Sequence, residues 1–131
     1  MYMLDTNICI YIIKKRPESV LHQLKKKKEN GLFISTITLA ELEFGVENSG
    51  HKEKNRIALI EFLSILGIKH FDGNAAKEYG IIKRKLKDQN CLIGPMDILI
   101  GAHAKSQNMV LATNNTKEFT RINDLKVENW V

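Results

Sequence analysis

The sequence predicts an α/β fold built on a largely parallel sheet, and three observations carry that expectation. Short extended apolar runs alternate with longer runs at helical spacing, no internal repeat occurs, and no Pro/Gly/Ser-rich linker divides the 131 residues. One domain spanning residues 1–131 is expected, because 44% hydrophobic residues in a chain of this length furnish a single continuous core. Strands separated by helices favour parallel pairing, and ligands of such sheets gather beyond the carboxyl ends of the strands.

The strand candidates are residues 1–4, 32–34, 68–71 and 109–112, with a weaker one at 125–127. The clearest helix covers residues 74–87, where Ala75, Tyr79, Ile82 and Leu86 form a stripe and Lys77, Arg84 and Lys87 fall away from it. A second helix at 54–66 is so apolar from Ile57 onward that packing on more than one side is expected. Pro95 suits the first turn of a helix over 96–107, where its missing N–H would be unpaired in any case. A further helical stretch runs over 38–48, and Lys25 to Lys28 read as a solvated helix end.

The net charge of +5 fits a polyanionic partner, although charge alone does not identify one. Cys9 and Cys91 lie far apart among apolar residues, which fits core packing in a reduced compartment rather than a disulfide or a zinc site. The N-terminus has no basic leader, and the apolar run 8–13 is too short to span a bilayer, so a cytoplasmic protein without membrane contact is expected.

Two polar clusters directly follow strand candidates, Asp5-Thr6-Asn7 and Thr113-Asn114-Asn115-Thr116, and both are expected at one sheet edge. Asp5 is placed to hold a metal and equally to cap the helix that begins at Ile8; the two roles are compatible. Asp97 falls in the first turn of its helix, where the positive helix terminus favours a carboxylate. Gly101 and Ala104 on the same face are expected to leave room beside it. Glu41 shares a helical face with Ile37, Phe44 and Gly45 and so points toward protein. Thr38 and Glu41 also fit a capping box, and Glu43 is a rival for any site role.

Carboxylates converging on one edge repel unless protonated or bridged by a hard cation. Oxygen ligands without cysteine or histidine favour Mg²⁺ or Mn²⁺, whose usual service is phosphate chemistry. No phosphate loop, nucleophile elbow or H-E-x-x-H helix is present, and His22, His51, His70 and His103 are scattered without ligand spacing. His103 is read as a surface or satisfied core residue. A phospho-accepting receiver domain would need a second acidic residue beside Asp5, where Thr6 and Asn7 stand.

Met3-Leu4-Asp5-Thr6-Asn7, Ile37-Thr38-Leu39-Ala40-Glu41-Leu42 with Gly45, Ile93-Gly94-Pro95-Met96-Asp97 with Ile100-Gly101-Ala102-His103-Ala104, and Thr113-Asn114-Asn115-Thr116-Lys117-Glu118-Phe119 together resemble PIN-domain toxins of the VapC type. The resemblance runs from end to end. It implies a three-layer α/β/α fold with a mainly parallel central sheet and an Mg²⁺-dependent (or Mn²⁺-dependent) endoribonuclease. Asp5, Glu41 and Asp97 would be its metal ligands, which decides against Glu43. The fourth acidic position of many relatives corresponds to Asn115, a polar, uncharged stand-in counted with the catalytic group. The resemblance further implies cleavage of tRNA, initiator tRNA in its anticodon stem-loop, leaving a 5′-phosphate and a 3′-hydroxyl. Neutralisation would come from a cognate VapB-type antitoxin. A toxin homodimer would sit within a larger complex that meets operator DNA only through the antitoxin. Lys14, Lys15, Lys83 and Arg84 are expected to hold the RNA backbone. The competing expectation is a non-catalytic nucleic-acid or protein-binding module with an inert acidic edge.

Overall fold

The computed structural model describes all of residues 1–131. Five strands, β1 (Tyr2–Leu4), β2 (Leu32–Ser35), β3 (Gly67–Lys69), β4 (Val110–Thr113) and β5 (Val127–Asn129), form one sheet in the order β3-β2-β1-β4-β5. Every pairing is parallel, with Tyr2 opposite both Leu32 and Val110. Seven helices cover it: α1 (Thr6–Lys14), α2 (Glu18–Lys27), α3 (Thr36–Glu47), α4 (Lys52–Leu63), α5 (Gly73–Asp88), α6 (Pro95–Ser106) and α7 (Thr116–Phe119).

The period of two along a strand divides the core between the faces of the sheet. Tyr2, Leu4, Leu32, Ile34 and Ala112 pack with Ile8, Ile12, Leu42, Leu59 and Phe62 from α1, α3 and α4. Met3 and Leu111 turn the other way, toward Ile82 and Leu86 of α5, Ile98 and Ile100 of α6, and Phe119 of α7. This is the expected α/β/α layering. Trp130, buried behind the last strand, closes the first cluster against Tyr2 at a ring separation of 5.8 Å.

Several expectations need correction. The third strand starts at Gly67 rather than Ile68 and ends before Phe71. At Gly67 a Cβ would stand 2.7 Å from the Phe33 ring, so glycine permits this pairing. The weak strand at 125–127 is displaced to Val127–Asn129, while Leu125 packs against the second cluster. α4 buries only one stripe, Leu59 and Phe62; Ile57 and Ile60 are 58% and 59% exposed, so its apolar character does not come from packing on several sides. α3 begins at Thr36 with Ser35 as its cap. The capping box at Thr38 and Glu41 therefore does not exist, and Thr38 lies buried inside the helix. Cys9 is fully buried, whereas Cys91 is only half-buried against the second cluster; both thiols are free. No helix is long and apolar enough to cross a membrane.

The buried polar side chains are concentrated at one place. Asp5, Ser35 and Thr113 follow or end the adjacent strands β1, β2 and β4, and Thr38 and His103 lie on helices packed over the same edge. Parallel strands present all their carboxyl ends together, and the chain's buried polarity gathers there.

Candidate active site at the carboxyl edge of the sheet

Asp5 leaves β1 and caps α1. One carboxylate oxygen accepts the Ile8 N–H at 2.9 Å, and the other accepts a hydrogen bond from the Thr113 hydroxyl at the end of β4. The cap role is real. Burial pushes the Asp5 carboxyl up from 3.8 to about 6 against the lowering effect of its two donors; the charges of Asp97 and Glu41 push it further in the same direction.

Glu41 lies on α3 and accepts from the Thr6 hydroxyl at 2.6 Å, which ties it to the chain segment beginning at Asp5. The rival Glu43 is engaged elsewhere, in a paired contact with the Arg56 guanidinium, one of whose bonds is 3.0 Å long. Asp97 sits half-buried in the first turn of α6. Its carboxyl is also raised, by partial burial first and then by the charges of Glu118 and Glu41.

Asp5, Glu41 and Asp97 line a single cleft of about 540 Å³ together with Thr6, Asn7, Ile10, Ala40, Phe44 and Met96. Three chain segments far apart in sequence thus bring one carboxylate each to the same opening. As the side chains stand, no group of three or more His, Cys, Asp or Glu residues is close enough to enclose an ion. Hydroxyls of Thr6 and Thr113 occupy part of the carboxylate capacity instead. The donor set nevertheless suits a hard divalent cation, because it is all oxygen and its like charges add to burial in disfavouring ionisation of Asp5 and Asp97. A cation would relieve that repulsion.

Asn115 does not line the cleft. It stands at the N-cap position before α7 with φ −103°, and its side chain makes no cap; its amide donates to Glu118 at 3.0 Å. The negative charge on this flank comes from Glu118, three residues on, which acts on Asp97. The sequence singled out Asn115 for the site and placed Glu118 three residues further on without giving it a site role. The signal that could have found it is the missing charge at the fourth position, one helical turn away.

Gly101 and Ala104 were expected to make room beside Asp97. Both are buried, and a Cβ on Gly101 would stand 2.6 Å from Ile122, so these small residues allow α6 to pack closely against residues 119–125. His103 is likewise no surface residue. It is fully buried, with Nδ1 2.8 Å from the Ser35 hydroxyl and its ring edge-on to Phe71 at 5.3 Å, while Nε2 has no partner. Burial lowers its pKa and keeps the ring neutral. The bond ties the cap of the Glu41 helix to the helix that carries Asp97.

A second groove, of about 310 Å³, shares Ile10 and Glu41 with the cleft and includes Lys14. Of the four basic residues singled out from sequence, Lys14 is the one that borders this tract. Lys83 and Arg84 lie on α5, beyond the opposite face of the sheet, and Arg84 is paired with Asp88 at 3.0 Å.

Comparison with known proteins places this geometry among close likenesses. The model of the PIN domain matches residues 2–125. The chain is 46% identical to "Ribonuclease VapC2" of Rickettsia felis, covering 99% of this chain and 98% of that protein. It is 39% identical to "tRNA(fMet)-specific endonuclease VapC" of Shigella flexneri over 98% and 97% of the two chains. Among solved structures, VapBC2 from Rickettsia felis bound to a DNA fragment from its promoter superposes with a TM-score of 0.94 at 44% identity, covering 99% and 98%. DNA-bound VapBC from Salmonella typhimurium gives 0.93 at 38% identity, covering 99% and 98%.

Proposed function

Because the chain belongs to the PIN-domain family, and within it to the VapC ribonucleases, we propose that it is a metal-dependent endoribonuclease and the toxin of a toxin–antitoxin pair. The observation that carries this reading is the convergence of Asp5, Glu41 and Asp97 on one cleft at the carboxyl edge of a parallel sheet. These three side chains would hold Mg²⁺, or Mn²⁺ in its place. A cation so held supplies Lewis-acid stabilisation of the charge that builds on a phosphodiester during hydrolysis.

The protein's own contribution is position and electrostatics. Thr113 and the Ile8 N–H fix the rotamer of Asp5, and Thr6 fixes Glu41. Glu118 adds charge beside Asp97, and Asn115 orients Glu118, so Asn115 serves as a positioning residue rather than a ligand. Lys14, at the end of the groove that continues past Glu41, takes a neighbouring backbone phosphate. Hydrolysis leaves a 5′-phosphate and a 3′-hydroxyl.

The substrate of this reading is tRNA, with the initiator tRNA anticodon stem-loop as the specific target, since a relative of similar length is named for that specificity. A VapB-type antitoxin neutralises the chain, operator DNA is met through that antitoxin, and the toxin pairs with a second copy within the complex. The place of action is the cytoplasm, where tRNA is found. End-mapping of total RNA from cells expressing the chain tests all of this at once. A dominant new 5′-phosphate end in one tRNA loop is expected; RNA ends identical to those from cells expressing Asp97→Asn would leave a non-catalytic binding module in its place.

A further inference from the structure

The mouth of the acidic cleft carries two exposed apolar side chains that belong to neither core cluster. Phe44 is 67% exposed and Met96 is 46% exposed, and both line the cleft with Asp5, Glu41 and Asp97. Phe44 follows Glu41 by three residues on α3, so it rises on the same side of the helix one turn farther along. Met96 immediately precedes Asp97 at the start of α6. α3 buries its core face through Leu42 and Val46, with Leu39 packed beside them, and Phe44 belongs to neither core cluster. A large aromatic ring left in water forfeits its burial, and an exposed large apolar group is therefore informative in a way that a buried one is not.

Ile57 and Ile60, by contrast, lie on α4 and do not line the cleft. Phe44 and Met96 differ in lining the cleft itself, each within one helical turn of a carboxylate. An aromatic face beside a phosphate site suits a ligand that carries a planar ring next to each phosphate. RNA supplies that ring wherever it supplies a phosphate. Every base has a π-face, and stacking on an aromatic side chain is tolerant of sequence. Thioether sulfur also makes favourable contacts with aromatic rings.

We infer that Phe44 and Met96 clamp one unstacked nucleobase of single-stranded RNA, adjacent to the phosphate that the three carboxylates address. Bases inside a duplex are stacked and cannot enter, so the clamp selects loops, bulges and ends. It also provides an anchor independent of charge at the one part of the surface where carboxylates repel a phosphate chain. The inference rests on the ribonuclease reading for its substrate, and the test separates the two.

The probe is a short single-stranded oligoribonucleotide spanning a mapped cut site, with matched strands carrying an abasic residue on either side of the scissile phosphate. Binding is followed by fluorescence anisotropy in chelator, where no cleavage interferes, and turnover is followed separately with Mg²⁺. Phe44 is exposed, so Phe44→Leu and Phe44→Trp preserve the fold. Phe44→Leu is expected to weaken binding of the intact strand about tenfold, with a rise in KM and little change in kcat. On one of the abasic strands wild type and Phe44→Leu should bind alike, and Phe44→Trp should restore affinity for the intact strand. The clamp is overturned if Phe44→Leu binds the intact strand as wild type does, or if its loss is the same on every strand. It is also overturned if Phe44→Leu alters only self-association or affinity for a protein inhibitor. A wild-type chain that binds the strand but never cuts it refutes the nuclease reading while leaving the abasic comparison decisive for the clamp.

Discussion

Asp5 and Asp97 bring the same side chain to one cleft, yet the two halves of that cleft are built differently. The strand-end half is Asp5, buried at the end of β1, with both oxygens engaged by the backbone of α1 and by Thr113 of β4. The helical half is Glu41 and Asp97, carried on α3 and α6 and only partly buried, with Glu118 of α7 flanking Asp97 from outside the cleft. Rigid placement in the first half comes with a carboxylate that resists ionisation; the second half lies nearer to water, where its side chains can move toward an ion. A site that must assemble round a cation gains from one fixed ligand and others free to adjust.

Substitution in the helical half should give the largest loss of activity with the least disturbance. Asp97→Asn is expected to lower Mg²⁺-dependent cleavage on the order of a thousandfold, equivalent to about 4 kcal/mol of transition-state stabilisation. Its melting curve by circular dichroism should superpose on that of wild type or lie slightly higher. Wild-type cleavage by a folded Asp97→Asn protein would place the chemistry elsewhere.

The strand-end half should separate activity from stability. The folded Asp5 carboxyl titrates near 6, above its ordinary value of 3.8, so the native state binds a proton that the unfolded state releases. Stability of the metal-free protein should therefore fall as pH rises from about 4 to about 6 and stay low above that, by about 3 kcal/mol for this group. Asp5→Asn removes that dependence. In chelator at pH 8 it should unfold at higher urea than wild type, and the gain should vanish near pH 4. Saturating Mg²⁺ should close the gap by stabilising wild type alone. An Asp5→Asn protein less stable than wild type at pH 8 in chelator would mean that Asp5 serves mainly as a cap.

A smaller effect sharpens the contrast within the helical half. Asn115→Ala should slow cleavage about tenfold, or about 1.4 kcal/mol, by releasing Glu118. If Asn115 acts through Glu118, the double variant Asn115→Ala with Glu118→Gln should be no slower than Glu118→Gln alone. Additive losses in that cycle would give Asn115 a role of its own. The smallest effect on activity is expected from Ser35→Ala, which removes the α3 cap and the His103 partner. About 1–2 kcal/mol of stability should be lost in urea unfolding, with kcat nearly unchanged.

The same contrast explains what the sequence could convey. Asp5 and Asp97 were legible because each stands at a boundary, after an apolar run or inside a helix start, where position alone implies the carboxyl edge. The layered fold was legible from alternating periodicities. Glu41 was not distinguishable from Glu43 by pattern, because choosing between them needs the tertiary contacts with Thr6 and Arg56. Glu118 stood within the matched motif, but nothing in the pattern tied its charge to Asp97. Exposed apolar faces also misled: Ile57 and Ile60 have the hydropathy of a core while lying on the surface. Gly101 was misread because a missing side chain signals close packing and open space equally well until the neighbour, Ile122, is known.

The central claim is that Asp5, Glu41 and Asp97, from three separate segments, make one cation site. Calorimetric titration of Mn²⁺ onto the metal-free chain at pH 7.5, repeated on Glu41→Gln and Asp97→Asn, tests it directly. Saturable binding by wild type, weakened about tenfold or more in each variant, is the expected result. Equal Mn²⁺ affinity in all three proteins, or none in wild type, would contradict it.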